Sequence, residues 1–248
     1  MRKYLILAVV ALVAMVVPSI AAAQAQQSLI TKVTPTKLDK KKFKPVTLFN
    51  DVITANNDQA GQNPDQPPSA DRTRVDFPKN LKFDTKAVPN CQGDEGALQN
   101  TTTSQATQIC GSKSIVSVKG AGKTEATVLV DTVPGVPGTA PLVVEVVVTA
   151  YDGFQDKTIF LHARADAVNN TSVLVGKLKK GPTGFGSTLD VTIPDLLAGA
   201  ISDFKVTVKA GKYVQGVCKD KTPTYQARTE YENHAPTTAK YTTKCTRK

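Results

Sequence analysis

Residues 142–151 have the sequence LVVEVVVTAY, a run in which Glu145 is the one charged side chain. A nearly continuous apolar run of this length, rich in β-branched residues, is typical of a central strand covered on both sides. The next extended stretch, residues 158–166 (TIFLHARAD), follows a turn at Asp152 and Gly153. Its small or aliphatic side chains alternate with larger or polar ones, as in a strand with one face in the core. The two stretches predict an antiparallel pair inside a sheet.

The rest of the chain continues this pattern of short strands and turns. Residues 120–122 (GAG) separate two extended runs and predict a hairpin, and strand signals recur at short, fairly even intervals. Thr and Val are abundant, aromatic residues make up only 6% of the chain, and no amphipathic helix is apparent. The sequence therefore predicts an all-β fold, an antiparallel β-sandwich of immunoglobulin-like or jelly-roll-like type. It is expected as one compact assembly or as two abutting sandwiches with a sub-boundary near residues 132–141.

The predicted strand pair also places a few polar side chains on one face. His162 and Arg164 alternate with apolar residues on the second strand, and Glu145 is the polar residue of the first. A hairpin that joins Tyr151 to residue 158 sets Glu145 opposite Arg164, and a loop two residues shorter sets it opposite His162. Either register groups Glu145, His162 and Arg164, as a small polar site or, more commonly, as a cross-strand charge pair.

The four cysteines are predicted to form two disulfides. Cys91 and Cys110 lie close together in the sequence, and so do Cys218 and Cys245. An even number of cysteines in an exported chain favours disulfides over free thiols, although four cysteines allow three connectivities. We expect the sequence-local pairing, Cys91 with Cys110 and Cys218 with Cys245. The polar residues between the first two cysteines then form an excursion stapled at both ends.

The N-terminal segment, residues 1–25, has the three parts of a secretory signal peptide. Arg2 and Lys3 precede an apolar run at residues 5–17, and small residues offer cleavage sites after Ala23 or Ala25. An uncleaved membrane anchor is the competing interpretation, but a Pro-Ser break after the apolar run favours cleavage. No later segment is long and apolar enough to span a membrane. The expected location is therefore secreted or associated with the cell envelope.

The net charge of +10 is concentrated at the ends of the chain. Residues 26–45 carry +5 and residues 236–248 carry +4, whereas the remainder of the chain after the signal peptide sums to −1. Basic and aromatic side chains are not interleaved across the chain, so we do not expect nucleic acid as a partner. If the termini meet, they form one basic patch that attracts anionic polymers or lipid headgroups. The predicted patch consists of Lys37, Lys40, Lys41, Lys42, Lys44, Lys240, Lys244, Arg247 and Lys248. The alternative is a solvated tail with a charged edge strand that resists aggregation.

No motif for catalysis or for a cofactor is present. The chain has no GxSxG, and it has no CxxC spacing for zinc. Residues 56–67 match a calcium loop at positions 1, 3 and 6 but fail at positions 5 and 12. Asp152, Asp156 and Asp166 are available for glycoside hydrolysis, but nothing in the sequence makes them converge. We therefore expect no enzymatic activity, no cofactor and no metal.

Five short phrases occur in a fixed order along the chain. They are FPKNLKF at residues 77–83, KTEATV at 123–128, VLVGKL at 173–178, ISDFKV at 201–206 and TKC at 243–245. In this order they resemble a group of uncharacterised exported β-sandwich proteins from actinobacteria, over residues 70–246. The resemblance implies an envelope or extracellular location and a β fold. The group has no established activity, so the resemblance implies no functional residue.

The sequence predicts three segments of the chain and leaves three hypotheses for the function. The expected segments are a signal peptide at residues 1–25, a basic lead-in at 26–45 and a β-sandwich region at 46–248. The leading hypothesis is a non-enzymatic binding or structural module of the cell envelope or extracellular space, held there by its basic ends. The alternatives are a secreted hydrolase with a site built from loop carboxylates, and an assembly subunit that presents edge strands to its partners.

Overall fold

The computed structural model of the protein describes residues 25–56, 66–130, 140–153, 157–194, 199–209, 211–231 and 234–247. The predicted signal peptide lies outside the described residues except for Ala25, which begins the first strand. Most of the loop that resembles a calcium site and the predicted patch residue Lys248 also lie outside them. Within the described part of the chain, no helix has the length and the apolar character that crossing a membrane requires.

The described residues form short strands joined by turns, with two short helices between the sixth and seventh strands. The elements, in chain order, are β1 (Ala25–Thr34), β2 (Lys37–Leu38), β3 (Lys44–Pro45), β4 (Thr47–Asn56), β5 (Ala70–Pro78), β6 (Leu81–Phe83), α1 (Glu95–Leu98), α2 (Thr103–Cys110), β7 (Glu125–Val130), β8 (Leu142–Asp152), β9 (Thr158–Ala165), β10 (Asn170–Lys180), β11 (Phe185–Thr192), β12 (Gly199–Val208), β13 (Val214–Gly216), β14 (Thr224–Tyr231), β15 (Thr237–Thr242) and β16 (Thr246–Arg247). The predicted central pair corresponds to β8 and β9.

Eleven of these strands form one antiparallel sheet, in the order β1-β4-β12-β7-β8-β9-β10-β11-β5-β14-β15. The sheet curls until its two edge strands contact each other, and Gln27 of β1 donates a hydrogen bond to Thr229 of β14 (2.5 Å) and accepts one from Thr237 of β15 (3.4 Å). The prediction of an antiparallel all-β fold is confirmed. The sandwich is not confirmed, because the eleven strands are hydrogen-bonded into a single, nearly closed sheet, which we call the barrel.

The core lies inside the barrel because successive side chains point to opposite faces of each strand. On β8, Val144, Val146 and Val148 are buried, whereas Val143 and Val147 on the opposite face are about half exposed. The buried set packs against the inward side chains of β7, β9, β10 and β12. A second group of inward side chains, from β1, β4, β5, β14 and β15, fills the other half of the barrel.

Part of the outer face of β8, β9 and β10 is covered by the segment that contains α1 and α2. The disulfide between Cys91 and Cys110 closes this segment, and its Leu98 and Ala106 pack with Phe160 of β9 in a third apolar cluster. The predicted stapled excursion and its disulfide pairing are therefore confirmed. The expectation of no amphipathic helix was wrong, since α2 is an eight-residue helix that buries one side.

The segment boundaries expected from the sequence do not divide the sheet. The basic lead-in at residues 26–45 contributes β1, which pairs along its whole length with β4. On either side of the possible sub-boundary near residues 132–141, β7 and β8 pair from Glu125 with Val147 to Val130 with Leu142. Within the described residues, β1 and β15 therefore belong to the same sheet as the strands from the middle of the chain.

Candidate anionic-surface interface

The two basic segments meet at one end of the barrel. There β2 and β16 form a parallel pair in which Lys37 is opposite Thr246 and Leu38 is opposite Arg247. The Thr246 amide donates a hydrogen bond to the Thr36 carbonyl (3.0 Å). The contact between the termini on which the predicted patch depends is thus present, and it is made by the basic segments themselves.

The second disulfide fixes this junction to the loop after β13. Cys218 is bonded to Cys245, as predicted, and its amide donates to the Asp39 carbonyl (2.8 Å). The guanidinium of Arg247 donates to the carbonyls of Cys218 (3.1 Å) and Lys219 (2.7 Å). Three separate stretches of chain are therefore locked together around one covalent bond.

This junction concentrates positive charge on the surface. We call the cationic residues of the segments at 37–44, 219–221 and 244–247 the basic end. They are Lys37, Lys40, Lys41, Lys42, Lys44, Lys219, Lys221, Lys244 and Arg247, and all nine are exposed. The same segments contain two acidic residues, Asp39 and Asp220, which leaves a net charge of +7.

Two members of the basic end were not predicted from the sequence. Lys219 and Lys221 lie outside the terminal charge clusters and carry no signal of their own. The predicted pairing of Cys218 with Cys245 was the signal that could have identified them, since it sets residues 219–221 beside the C-terminal segment. There the Cys245 amide donates to the Lys221 carbonyl (3.0 Å).

The two acidic side chains organise the backbone of the basic end. The Asp39 carboxylate accepts hydrogen bonds from the amides of Lys41 (2.7 Å) and Lys42 (2.8 Å), and these bonds lower the pKa of Asp39. Asp220 accepts from the Thr222 amide (3.0 Å). Among the described residues, none of the nine cationic side chains forms an ion pair with a carboxylate within 4.0 Å. Their charge therefore remains available to an external anion.

A groove adjoins the basic end where the barrel seam opens. β1 and β15 are the two edge strands of the sheet, and next to β2 and β16 they leave a groove of about 490 Å³ between them. Lys32 and Lys244 line it, together with the rings of Tyr225 and Tyr241. A volume of this size is within the range of ligand-binding clefts. The groove is therefore large enough for a short segment of a polymer chain.

Two predicted patch residues are not part of this junction as described. Lys240 is exposed but lies opposite Gln226 in the β14–β15 pair, on the sheet rather than at the β2–β16 contact. Lys248 lies outside the described residues. The basic end therefore contains seven of the nine predicted residues.

The predicted grouping of Glu145, His162 and Arg164 differs from the structure. Arg164 lies opposite Val147 and His162 opposite Thr149, so both expected registers were wrong. Glu145 lies opposite Thr127 of β7 and is exposed. A shift of two residues leaves every side chain on its original face, so the alternating pattern carries no information about it.

His162 and Arg164 instead hold the covering segment and the turn after β9. The fully buried His162 places Nε2 3.0 Å from the Thr101 hydroxyl and 3.2 Å from its carbonyl, and burial lowers the pKa of the imidazole. Arg164 donates to Asp166 (2.8 Å) and to Asn169 (2.5 Å). These contacts tie the covering segment and the turn after β9 to the outer face of that strand.

Asp152 and Asp166, two of the carboxylates considered for hydrolysis, lie at opposite ends of the β8–β9 hairpin. Asp152 ends β8 at the start of the hairpin, opposite Ile159, whereas Asp166 follows the last residue of β9 at the other end. Asp156 lies outside the described residues. Within the described ranges, no group of three or more His, Cys, Asp or Glu side chains is arranged to hold a metal ion.

A pair of neighbouring carboxylates, Asp51 of β4 and Asp203 of β12, was not predicted from the sequence. Lys205, which lies opposite Asp51, donates to Asp203 (2.5 Å). Burial and the charge of Asp203 raise the pKa of Asp51 to about 6. This pair therefore makes the stability of the sheet depend on pH between about 4 and about 6.

Neither a protein-family model nor a curated protein matches the sequence. The function is therefore inferred from the geometry and charge of the basic end.

Proposed function

We propose that the protein is an exported, non-enzymatic binding module that attaches to an anionic polymer of the cell envelope or extracellular space through its basic end. The observation that carries the proposal is the parallel pairing of β2 with β16, which joins two basic segments that are far apart in the sequence. The charge of +7 at this junction contrasts with the near-neutral remainder of the chain.

The chemistry of the basic end suits a polymer better than a small, shaped ligand. Eight of its nine cations are lysines, which act as mobile point charges and do not impose the planar geometry that arginine gives. Exposed charges of this kind attract an extended polyanion over a Debye length of about 10 Å at moderate salt. The groove beside Lys32 and Lys244 gives one segment of the polymer a place to lie.

The two disulfides agree with export. Such bonds are typical of proteins that fold in oxidising compartments, and here they fix the covering segment and the basic end. Together with the apolar stretch after Arg2 and Lys3, they support a secreted or envelope-associated location.

The test is retention on immobilised polyphosphate and polyglutamate across a salt gradient. We expect purified protein to be retained at about 20 mM NaCl and released before about 500 mM, as the Debye length falls from roughly 20 Å to roughly 4 Å. Replacing the lysines at positions 40, 41, 42 and 44 with Gln removes four of nine cations. This variant is expected to lower the dependence of binding on salt by roughly four units of log–log slope at most.

The matched control removes four exposed lysines elsewhere. Replacing those at positions 113, 119, 123 and 180 with Gln changes the net charge equally but leaves the basic end intact. If both quadruple variants lose retention to the same degree, the attraction belongs to the net charge and the proposal fails. Retention on vesicles with anionic lipids, but on neither polymer, overturns the assignment to a polymer in favour of lipid headgroups.

The two alternatives differ in the support that they receive. A hydrolase built from Asp152 and Asp166 is disfavoured by their positions at opposite ends of the β8–β9 hairpin. An assembly subunit is favoured by one observation, the facing edges of β1 and β15, which leave backbone groups open along the groove. A protein that elutes as a concentration-dependent oligomer, and that ignores both polymers, would support that second function.

A further inference from the structure

The barrel holds an apolar cavity at the end opposite the basic end. At this distal end β8 and β10 begin and β7 and β9 finish, whereas the basic end lies where β4 and β14 begin. The cavity has a volume of about 100 Å³ and is lined by inward side chains of β7, β8, β9, β10 and β12. It is remote from the surface to which we assign polymer binding.

Small residues on the two strands that flank β8 create the space. Ala126 of β7 and Ala163 of β9 are both buried and line the cavity. Leucine or valine elsewhere on the same strands fills comparable positions, as Leu161 does two residues from Ala163. The strand geometry is therefore regular, and the volume results from side-chain size.

A second cavity of about 80 Å³ lies beside the first, between β4, β5, β11 and β12. Leu174, Ile201 and Phe204 line both cavities and separate them. The side chains of Leu174 and Ile201 form no hydrogen bonds, so a rotation that joins the two cavities breaks none. The two spaces together compare with the roughly 150 Å³ apolar cavity that takes up benzene, and they have room for roughly six to eight carbon atoms.

The mouth of the first cavity combines apolar and polar groups. Leu142 and Val168 line it and are 49% and 42% exposed, unusually high for large aliphatic side chains. Asn170 and Ser172 also line it, and neither side chain donates or accepts a hydrogen bond within the described part of the chain. An amide and a hydroxyl are thus available beside an apolar space.

We propose that this cavity binds the hydrocarbon chain of a single-chain amphiphile with a neutral polar head. The chain enters between Leu142 and Val168, and behind Asn170 and Ser172 the side chains that line this cavity are apolar. The head stays at the mouth, where the Asn170 amide and the Ser172 hydroxyl offer hydrogen bonds. A charged head is disfavoured, since no cationic side chain lines the cavity among the described residues.

The probes are linear alcohols from butan-1-ol to decan-1-ol, measured by calorimetric titration of the whole protein and by thermal unfolding. We expect the affinity to rise about fourfold per methylene and to level off beyond roughly six to eight carbons, when the cavity is full. Saturating octan-1-ol should raise the midpoint of unfolding. No heat of binding and no shift for any alcohol would overturn the proposal.

Two cavity-filling variants test whether the alcohol binds inside the barrel. Ala163→Leu fills the cavity from β9, and Ser172→Leu fills it from the directly opposite position on β10. Each is expected to weaken octan-1-ol binding at least tenfold, and Ser172, being half-buried, tolerates the change if Ala163→Leu does not fold. Ala97→Leu on the exposed side of α1 is the matched control and should bind like the parent.

The exposed outer face of β8 is the competing location. Val147→Ser removes an apolar side chain that is 49% exposed and points away from the cavity. If this variant loses octan-1-ol while Ser172→Leu retains it, the alcohol binds outside the barrel and the proposal is wrong. The quadruple lysine variant should bind octan-1-ol normally, so this test is independent of polymer binding.

Discussion

Replacing Asp51 with Asn is expected to stabilise the protein at neutral pH. Asp51 lies on β4 and is only 6% exposed, and its neighbour Asp203 carries a second carboxylate. The Oδ1 atoms of both residues have no hydrogen-bond partner among the described residues. Lys205 compensates part of this charge through its bond to Asp203. The structure therefore keeps a buried negative charge that an amide would not carry.

The shift in pKa sets the magnitude. The pKa of Asp51 rises from 3.8 to about 6 in the folded protein, a difference of about 2 units, and each unit corresponds to about 1.4 kcal/mol. Because the native state holds the proton more tightly than the unfolded chain, stability falls as the pH rises from about 4 to about 6. The full cost at pH 7 is at most about 3 kcal/mol, so Asp51→Asn is expected to gain about 1–3 kcal/mol there.

Urea unfolding of the parent and Asp51→Asn between about pH 4 and about pH 8 tests this reasoning, since the titration window lies within that range. The gain should be smallest near pH 4 and reach its plateau above pH 6. Asp190→Asn is the matched control with the opposite sign, because Arg72 and Lys179 bind the Asp190 carboxylate and lower its pKa. A loss of stability in Asp51→Asn at pH 7, or a gain that does not change with pH, would refute the argument.

Three further outcomes are expected. Burial lowers the pKa of His162 below 6.5, so the unfolded chain takes up a proton that the native protein excludes. The free energy of unfolding should therefore fall as the pH drops below about 6.5, by at most about 1.4 kcal/mol per pH unit. The His162→Gln variant should show a smaller dependence on pH in urea titrations. Replacing Cys91 and Cys110 together with Ser should cost about 2–4 kcal/mol in guanidinium unfolding and speed amide exchange between them. Gly153→Ala should cost about 1–3 kcal/mol in the same assay, because its Cβ would lie 2.9 Å from the Thr158 side chain.

The local elements of the fold were predictable because their patterns are local. The stretch at residues 142–151 became β8 (Leu142–Asp152), and the stretch at 158–166 became β9 (Thr158–Ala165). Alternation of apolar and polar side chains depends on a strand having one face in the core, whatever the order of strands. The same pattern is therefore expected in a sandwich and in a barrel, and it does not distinguish between them.

The order of the strands was not predictable from such patterns. β12 lies between β4 and β7, and β5 lies between β11 and β14, so strands far apart in the sequence become neighbours in the sheet. The helix α2 was missed for a different reason, since its residues are polar and rich in Thr and Gln. Its signal was present as Thr102 and Gln105, which form a capping box.

The basic end was predictable in composition but not in extent. The terminal lysines and Arg247 form charge clusters in the sequence. Whether the two clusters contact each other depends on the pairing of β2 with β16, which the sequence does not show. Lys219 and Lys221 belong to the basic end because the disulfide of Cys218 with Cys245 holds them beside the C-terminal segment. A covalent link of known pairing thus carries more information about a surface site than the charge pattern alone, because it fixes which distant residues become neighbours.

The short segments that close the barrel also carry the charge of the basic end. Only some of their residues can therefore be replaced to test the function without opening the barrel. β1 and β15 are not paired with each other in the sheet, so β2, β16 and the Cys218–Cys245 bond hold the seam at this end. Arg247 donates to two backbone carbonyls there, and its removal would weaken the junction together with the charge. Lys40, Lys41 and Lys42 have exposed side chains without ion pairs in the described structure. Substitutions at these lysines therefore change the attraction for a polyanion while the seam stays closed, which makes them the decisive positions for the proposed function.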